Sequence, residues 1–249
     1  FTLIPKVARP EDWDRYPFPF IYGQSDPTLF DHQNWRQCAL RALGKRDFAA
    51  LTSDYYERDD PLLVQELLRT ILPRRGIAAR EDEVLLTLGA QNALWIAATA
   101  LLGPGRRAAV ENPGYPAWRA IVAATGATAV PVDVDTQGLP VQGLDADMIF
   151  TTPSHQCPTN ATMPVERRVA LLEAAEARGF LIVEDDYEFE MSFLKPVAPA
   201  LKSLDRGGRV IYAGSFSKSV FPGLRLGYLV GPSGFIAEAR ALRGLMLKH

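Results

Sequence analysis

From residue 83 onward, short apolar runs alternate with longer amphipathic stretches. The runs EVLLTL, RAAVEN, ATAVPV, DMIFTT, FLIVED, RVIYAG and LGYLVG begin at Glu83, Arg107, Ala127, Asp147, Phe180, Arg209 and Leu226. Each has the length and apolar density of a buried strand. Between them lie AQNALWIAATALL, YPAWRAIVAATG and PVERRVALLEAAEARG, which read as helices. The last repeats apolar residues at Val169, Leu172 and Ala175 and ends at Gly179, a residue suited to a helix C-terminus. Strands that are apolar on both faces and alternate with helices predict an α/β fold, with a mostly parallel sheet covered on two sides. Ligands of such sheets bind beyond the carboxyl ends of the strands. Those ends are Gly89-Ala90-Gln91, Glu111-Asn112-Pro113, Thr152-Pro153-Ser154, Asp185-Asp186-Tyr187 and Ser215 to Lys218.

Ahead of this alternation the pattern is different. The first 30 or so residues are rich in Pro and aromatics (RYPFPFIYGQSDPTLF) and show no period, as in an extended arm laid over a surface or another subunit. Helical patterns follow at HQNWRQCALRAL and PLLVQELLRTIL, and GIAA at 76–79 breaks the second. The chain divides on this basis into an N-terminal arm and linker, 1–50, and a larger unit, 51–249.

Composition narrows the functional classes. With 47% apolar and 22% charged residues, the chain has the balance of a soluble globular protein. A formal net charge of −2 gives no global electrostatic footprint for nucleic acid or an anionic membrane, so this segment is not expected to touch DNA itself. Two cysteines, Cys38 and Cys157, lie far apart and form no C-x-x-C pair. A disulfide or zinc scaffold is therefore not expected, and a reducing cytoplasm is. No apolar run is long enough to span a bilayer. The chain opens without an initiator methionine and reads as part of a longer protein.

The candidate chemistry gathers at the strand ends. Lys218 follows RVIYAG in a turn that also holds Ser215, Ser217 and Ser219, with Arg225 seven positions on. A solvated loop lysine is one reading. The other is a Schiff-base nucleophile beside an anion nest of hydroxyls and turn amides, with a phosphate-matched guanidinium. Lysine plus a phosphate site suggests a phosphorylated aldehyde. FLIV runs directly into Glu184, Asp185 and Asp186. Strand alternation sets Asp185 with Tyr187 on one side and Glu184 with Asp186 on the other. A carboxylate and a phenol projecting together fit a pyridine cofactor, holding its ring nitrogen and ring hydroxyl. Solvated acids or a Mg²⁺ site are the alternatives. Gly89-Ala90-Gln91, between a strand and an apolar helix, would turn backbone N–H groups toward an anion. Tyr115, in the tight loop ENPGYPAW, would either stack on a flat ring or simply pack. In FTTPSHQCPTNATMP, His155 and Cys157 leave a thiol nucleophile open as a further reading.

In this order the segments resemble the fold-type I, aspartate aminotransferase-like proteins that bind pyridoxal 5′-phosphate, from about residue 50 to 249. SFSKSVFPGLRLGY carries most of the likeness. The resemblance implies Lys218 as the Schiff-base lysine, Asp185 on the pyridine nitrogen, Tyr187 on the ring hydroxyl and Tyr115 stacking. It implies Gly89, Ala90, Gln91, Ser154, Ser215, Ser217 and Arg225 as further cofactor-binding residues. Tyr55 or Tyr56 would reach a neighbouring subunit's phosphate. TTPSHQCPTNATMPVERR and EDDYEFE are, more narrowly, similar to MocR-type transcription regulators, in which an aminotransferase-like domain follows a winged helix-turn-helix. That implies an effector-binding domain which senses an amino compound by exchange at Lys218, usually without productive turnover. It also implies a homodimer, with DNA bound only through a domain outside this chain. Transamination by a true aminotransferase is the alternative. Two features depart from the enzymes' NPTG loop. Cys157 stands at the Asn position and cannot reproduce its bond to the ring oxygen, and Asn160 stands at the Gly position, where it tolerates left-handed backbone. The substrate-carboxylate arginine and the rest of a small domain are expected beyond His249.

Overall fold

The computed structural model describes residues 11–19, 26–45, 48, 52, 58–191 and 198–247. Tyr55 and Tyr56 lie outside them. All seven expected strands form: β1 (Val84–Thr87), β2 (Arg107–Asn112), β3 (Thr128–Asp133), β4 (Met148–Thr151), β5 (Leu181–Asp186), β6 (Val210–Ser215) and β7 (Gly227–Val230). They make one sheet in the order β1-β7-β6-β5-β4-β2-β3. Six strands point the same way, and β7 alone runs against them, pairing antiparallel with both β6 and β1.

The helices are α1 (His32–Ala42), α2 (Pro61–Glu66), α3 (Gly89–Leu101), α4 (Ala117–Ala124), α5 (Val165–Arg178), α6 (Leu201–Leu204) and α7 (Ser233–Leu247). Strand alternation builds two cores. On one face Leu85, Val110, Phe150, Val183, Ile211 and Leu229 pack with α3, α4 and α7, around the fully buried Trp118. Burying such a side chain contributes about 1.5–3 kcal/mol. On the other face Ala109, Ile149, Ile182 and Val210 meet Leu171, Ala175 and Leu201 of α5 and α6. Val84, Tyr212, Tyr228 and Val230 continue this layer beneath α2.

Two helices differ from the sequence pattern. The apolar run PLLVQELLRTIL is helical but interrupted: α2 passes through a π-turn at Leu67–Ile71 before a last turn at Leu72–Arg74. Pro73 supplies the reason. Its ring crowds the carbonyl one turn back, and the longer loop in which Leu72 N–H bonds Leu67 O relieves that crowding. In α5 the buried face is Arg168, Leu171 and Ala175, while Val169 is exposed. Arg168 lies inward because carbonyls of Met163, Pro199 and Pro153 accept from its guanidinium at 2.9, 2.5 and 3.0 Å. Gly179 closes α5 at φ +78°, in the left-handed region, as its sequence position requires.

Helix α7 is tied across the sheet edge. Asp59 accepts from Arg240 at 2.7 Å and from Arg243, and the same arginines donate to Val84 O and Leu86 O. Among the described residues no helix is long and apolar enough to cross a membrane.

Candidate functional site

The carboxyl ends of β2, β4, β5 and β6 and the start of α3 meet along one sheet edge, and most of the candidate residues lie there. Asp185 is 6% exposed at the end of β5, on the face that carries α3. Among the described residues its Oδ1 has no hydrogen-bond partner. Burial, then the charges of Asp186 and Glu111, raise its pKa to about 8. An unpartnered buried carboxyl is costly unless a cationic or donor group meets it.

Its neighbours along β5 go the opposite way. Asp186 accepts from Arg75 Nε at 2.6 Å and from the Tyr212 hydroxyl at 2.6 Å. Glu184 accepts from the amides of Leu201 and Lys202, both at 2.8 Å, and so caps α6. Burial and the neighbouring Asp186 raise Glu184 to about 7. The three acids therefore do not converge. Among the described residues no cluster of three or more His, Cys, Asp or Glu could hold a metal ion.

Tyr187 is partly buried, and burial first, then the Glu188 charge, push its phenol well above the ordinary range. It is a neutral hydrogen-bonding group. Lys218 sits in the turn after β6, and its Nζ lies 3.8 Å from Glu188 Oε2. Ser215 is buried at the end of β6, where its Oγ accepts from Ser217 N–H at 3.1 Å. Cys157 also belongs to this group, since the charges of Asp185, Glu188, Glu111 and Lys218 all act on it. Burial and the carboxylates push its thiol up, which keeps it protonated and removes the thiolate a nucleophile needs.

The arginine and the glycine are built around each other. Gly89 opens α3 at φ +79°, and a Cβ on it would fall 2.6 Å from Arg225 Nη2. Arg225 itself has φ +50°, and its Nη2 reaches Leu88 O at 3.4 Å. A guanidinium held against the first turn of a 13-residue helix is an arrangement suited to an anion. Tyr115 donates to Gln91 Oε1 at 3.3 Å, which joins two more candidates. A cavity of about 410 Å³ beside α3 is lined by Leu88, Gln91, Asn92, Trp95, Ile121 and Arg225; Asp185, Tyr187 and Lys218 do not line it.

Ser154 is placed elsewhere. Its hydroxyl accepts from Arg75 Nη2 at 2.7 Å, so it belongs with the Asp186 network on the far face. Asn160 has φ +61°, the left-handed backbone expected of it. The TPSHQ loop is anchored by Gln156, whose Nε2 donates to Glu111 Oε2 and to Pro113 O at 3.0 and 2.8 Å.

Sequence reading named Glu111 only as a strand-end residue, with no role, and gave Arg75 no place. Glu111 is a charge inside an otherwise apolar strand, which was a usable signal. In the structure it is buried and accepts from Thr151 Oγ1, Thr152 N, Thr152 Oγ1 and Gln156. Arg75 gave no signal, since Arg74-Arg75 resembles the solvated end of any helix.

The residues present fit pyridoxal 5′-phosphate. An orphaned buried carboxyl awaits a ring cation, a neutral phenol stands two residues on, a lysine lies in the next turn, and a helix start with a guanidinium suits a phosphate.

Comparison with known proteins agrees. Residues 26–247 match the family Aminotransferase class I and II. The chain is 66% identical over 236 residues to the HTH-type transcriptional regulator TauR of Rhodobacter capsulatus, covering 94% of this chain and 49% of that protein. It is 36% identical over 216 residues to the probable rhizopine catabolism regulatory protein MocR of Rhizobium meliloti, covering 86% and 44%. The chain spans about half the length of the curated relatives it matches. Of solved structures, the Pyrococcus horikoshii kynurenine aminotransferase in complex with PMP superposes with a TM-score of 0.83 at 28% identity, over 90% of this chain and 58% of that one. The α-aminoadipate aminotransferase LysN of Thermus thermophilus gives 0.80 at 27%, over 91% and 59%. Pyridoxal 5′-phosphate is the cofactor of this family. With its seven-stranded sheet, its strand-end site and a family match running from residue 26 to 247, this chain belongs to the aminotransferase class I and II family.

Proposed function

We propose that the chain is the effector-sensing part of a MocR-type transcription regulator, holding pyridoxal 5′-phosphate and detecting an amino compound through Lys218. The observation that carries the cofactor site is Asp185, a buried carboxyl with an orphaned oxygen and a pKa of about 8. A carboxyl in that state gains most from a cationic partner, and a protonated pyridine nitrogen is one. The regulator reading is supported by the 66% identity to TauR and by the TPSHQ and EDDY segments.

Bound there, the cofactor supplies an aldehyde that condenses with primary amines and a ring that withdraws electrons. The rest falls to the chain. Asp185 holds the ring-nitrogen proton, Tyr187 bonds the ring hydroxyl and Tyr115 covers a ring face. Ser215, Ser217, Arg225 and the amides of Gly89, Ala90 and Gln91 hold the phosphate. Lys218 provides the amine that an incoming amino compound replaces. Ser154 acts at one remove, by fixing Arg75. DNA contact, a homodimer and a cytoplasmic setting complete this reading, with DNA bound by a part of the regulator outside these residues.

The test is an absorbance titration of the purified protein with pyridoxal 5′-phosphate beside Lys218→Ala. A new visible band in the parent and its loss in the variant are expected. Identical spectra would remove Lys218 from the site. A second reading, transamination, draws on the likeness to aminotransferase structures. Multiple turnovers with a 2-oxo acid acceptor would establish it and displace the sensor.

A further inference from the structure

Glu188 is not explained by the cofactor roles above. It follows Tyr187 directly, on the segment that leaves β5, and its Oε2 lies 3.8 Å from Lys218 Nζ. The two side chains are 25% and 30% exposed, so the pair stands at the rim of the site, neither buried nor fully solvated. The Glu188 carboxylate also acts on the Tyr187 phenol through a hydrogen bond and on the Cys157 thiol through its charge. One carboxylate thus lies near the amine, bonds the phenol and acts through its charge on the thiol. Glu190, two residues on, is engaged with Ser219 and the Arg74 charge.

We propose that Glu188 is a positioning residue for Lys218. Its carboxylate holds the Nζ ammonium in place and sets how readily that amine is released to react with an aldehyde. The proposal rests on the reading of Lys218 as the cofactor lysine. An ion pair of this length and exposure is modest, on the scale of a few-fold in rate.

The experiment measures capture of pyridoxal 5′-phosphate by the purified protein without any added amine. In capture, the ammonium gives a proton to solvent, the nitrogen lone pair attacks the aldehyde carbon, and the carbonyl oxygen leaves as water. Borohydride then delivers hydride to that carbon and makes the link permanent. Mass spectrometry of the peptide containing Lys218 gives the rate. Glu188→Gln is expected to capture about two- to fivefold faster than the parent at low ionic strength, with the gap narrowing as salt screens the pair. Asp133→Asn removes one negative charge at the same sheet edge, away from Lys218, and is expected to leave the rate unchanged. An unchanged or slower Glu188→Gln, or equal acceleration by Asp133→Asn, overturns the proposal while leaving the lysine assignment intact. If Lys218→Ala is labelled as fully as the parent, on another residue, the underlying cofactor reading fails instead.

Discussion

Asp185 and Asp186 are adjacent, chemically identical and both buried, yet they have opposite surroundings. Asp186 receives a guanidinium and a phenol, each at 2.6 Å. Asp185 has one oxygen with no partner among the described residues, and its pKa is about 8. A strand sends neighbours to opposite faces, so a single β5 presents a satisfied carboxylate to one side and a poised one to the other. The first is paired within the fold, and the second is the one we propose meets the cofactor.

Removing the support on the Asp186 side should have the largest effect. Arg75→Ala leaves a buried carboxylate unpaired and frees Ser154 and the Ala198 carbonyl. A loss of about 3–5 kcal/mol in urea unfolding is expected. A loss under 1 kcal/mol would mean that the network does not bear on stability.

On the other side, Asp185→Asn should weaken pyridoxal 5′-phosphate binding by about 10- to 100-fold, the scale of one charge-assisted bond. Equilibrium dialysis would show it. The same substitution should change the pH dependence of the cofactor-free protein. A carboxyl raised from 3.8 to about 8 binds its proton more tightly folded than unfolded. Stability is then full below pH 4 and declines as pH rises toward 8, and Glu184, raised to about 7, adds in the same direction. Asp185→Asn should flatten this decline in thermal melts between pH 5 and 8. An unchanged slope would show that Asp185 is not the titrating group.

Gly89→Ala probes the proposed phosphate end of the Asp185 side. The new methyl meets Arg225 at 2.6 Å on a backbone at φ +79°. A cost of about 1–2 kcal/mol in stability is expected, with a larger proportional loss of cofactor affinity, since the guanidinium must move. The smallest effect should come from Tyr212→Phe. Asp186 keeps Arg75 and loses one bond, a change of about 1 kcal/mol with cofactor affinity unaltered. A drop in affinity would erase the distinction between the two faces.

Much of this contrast was legible in the chain. FLIVEDDY states the strand and its alternation, and SFSKSVFPGLRLGY places a lysine, hydroxyls and an arginine after a strand. The Ser154 hydroxyl was not legible in the same way. Its place at a strand end suggested the ligand, but the loop turns it toward Arg75 on the opposite face. The interruption of α2 at Pro73 follows from local chemistry, and the inward turn of Arg168 does not. Its acceptors are three carbonyls in loops, one of them 31 residues away.

Periods of two and 3.6 are local properties of the backbone, so the sequence by itself determined seven strands, the main helices between them and the sheet edge where the candidate residues gather. Which acid would be neutralised was not local. Arg75 reaches Asp186 from 111 residues away, and Tyr212 reaches it from the neighbouring strand, 26 residues on. The tertiary structure alone decided that one aspartate was paired and the other left open. Partners brought from distant segments set the electrostatics of a buried group, and no spacing rule within one strand records them.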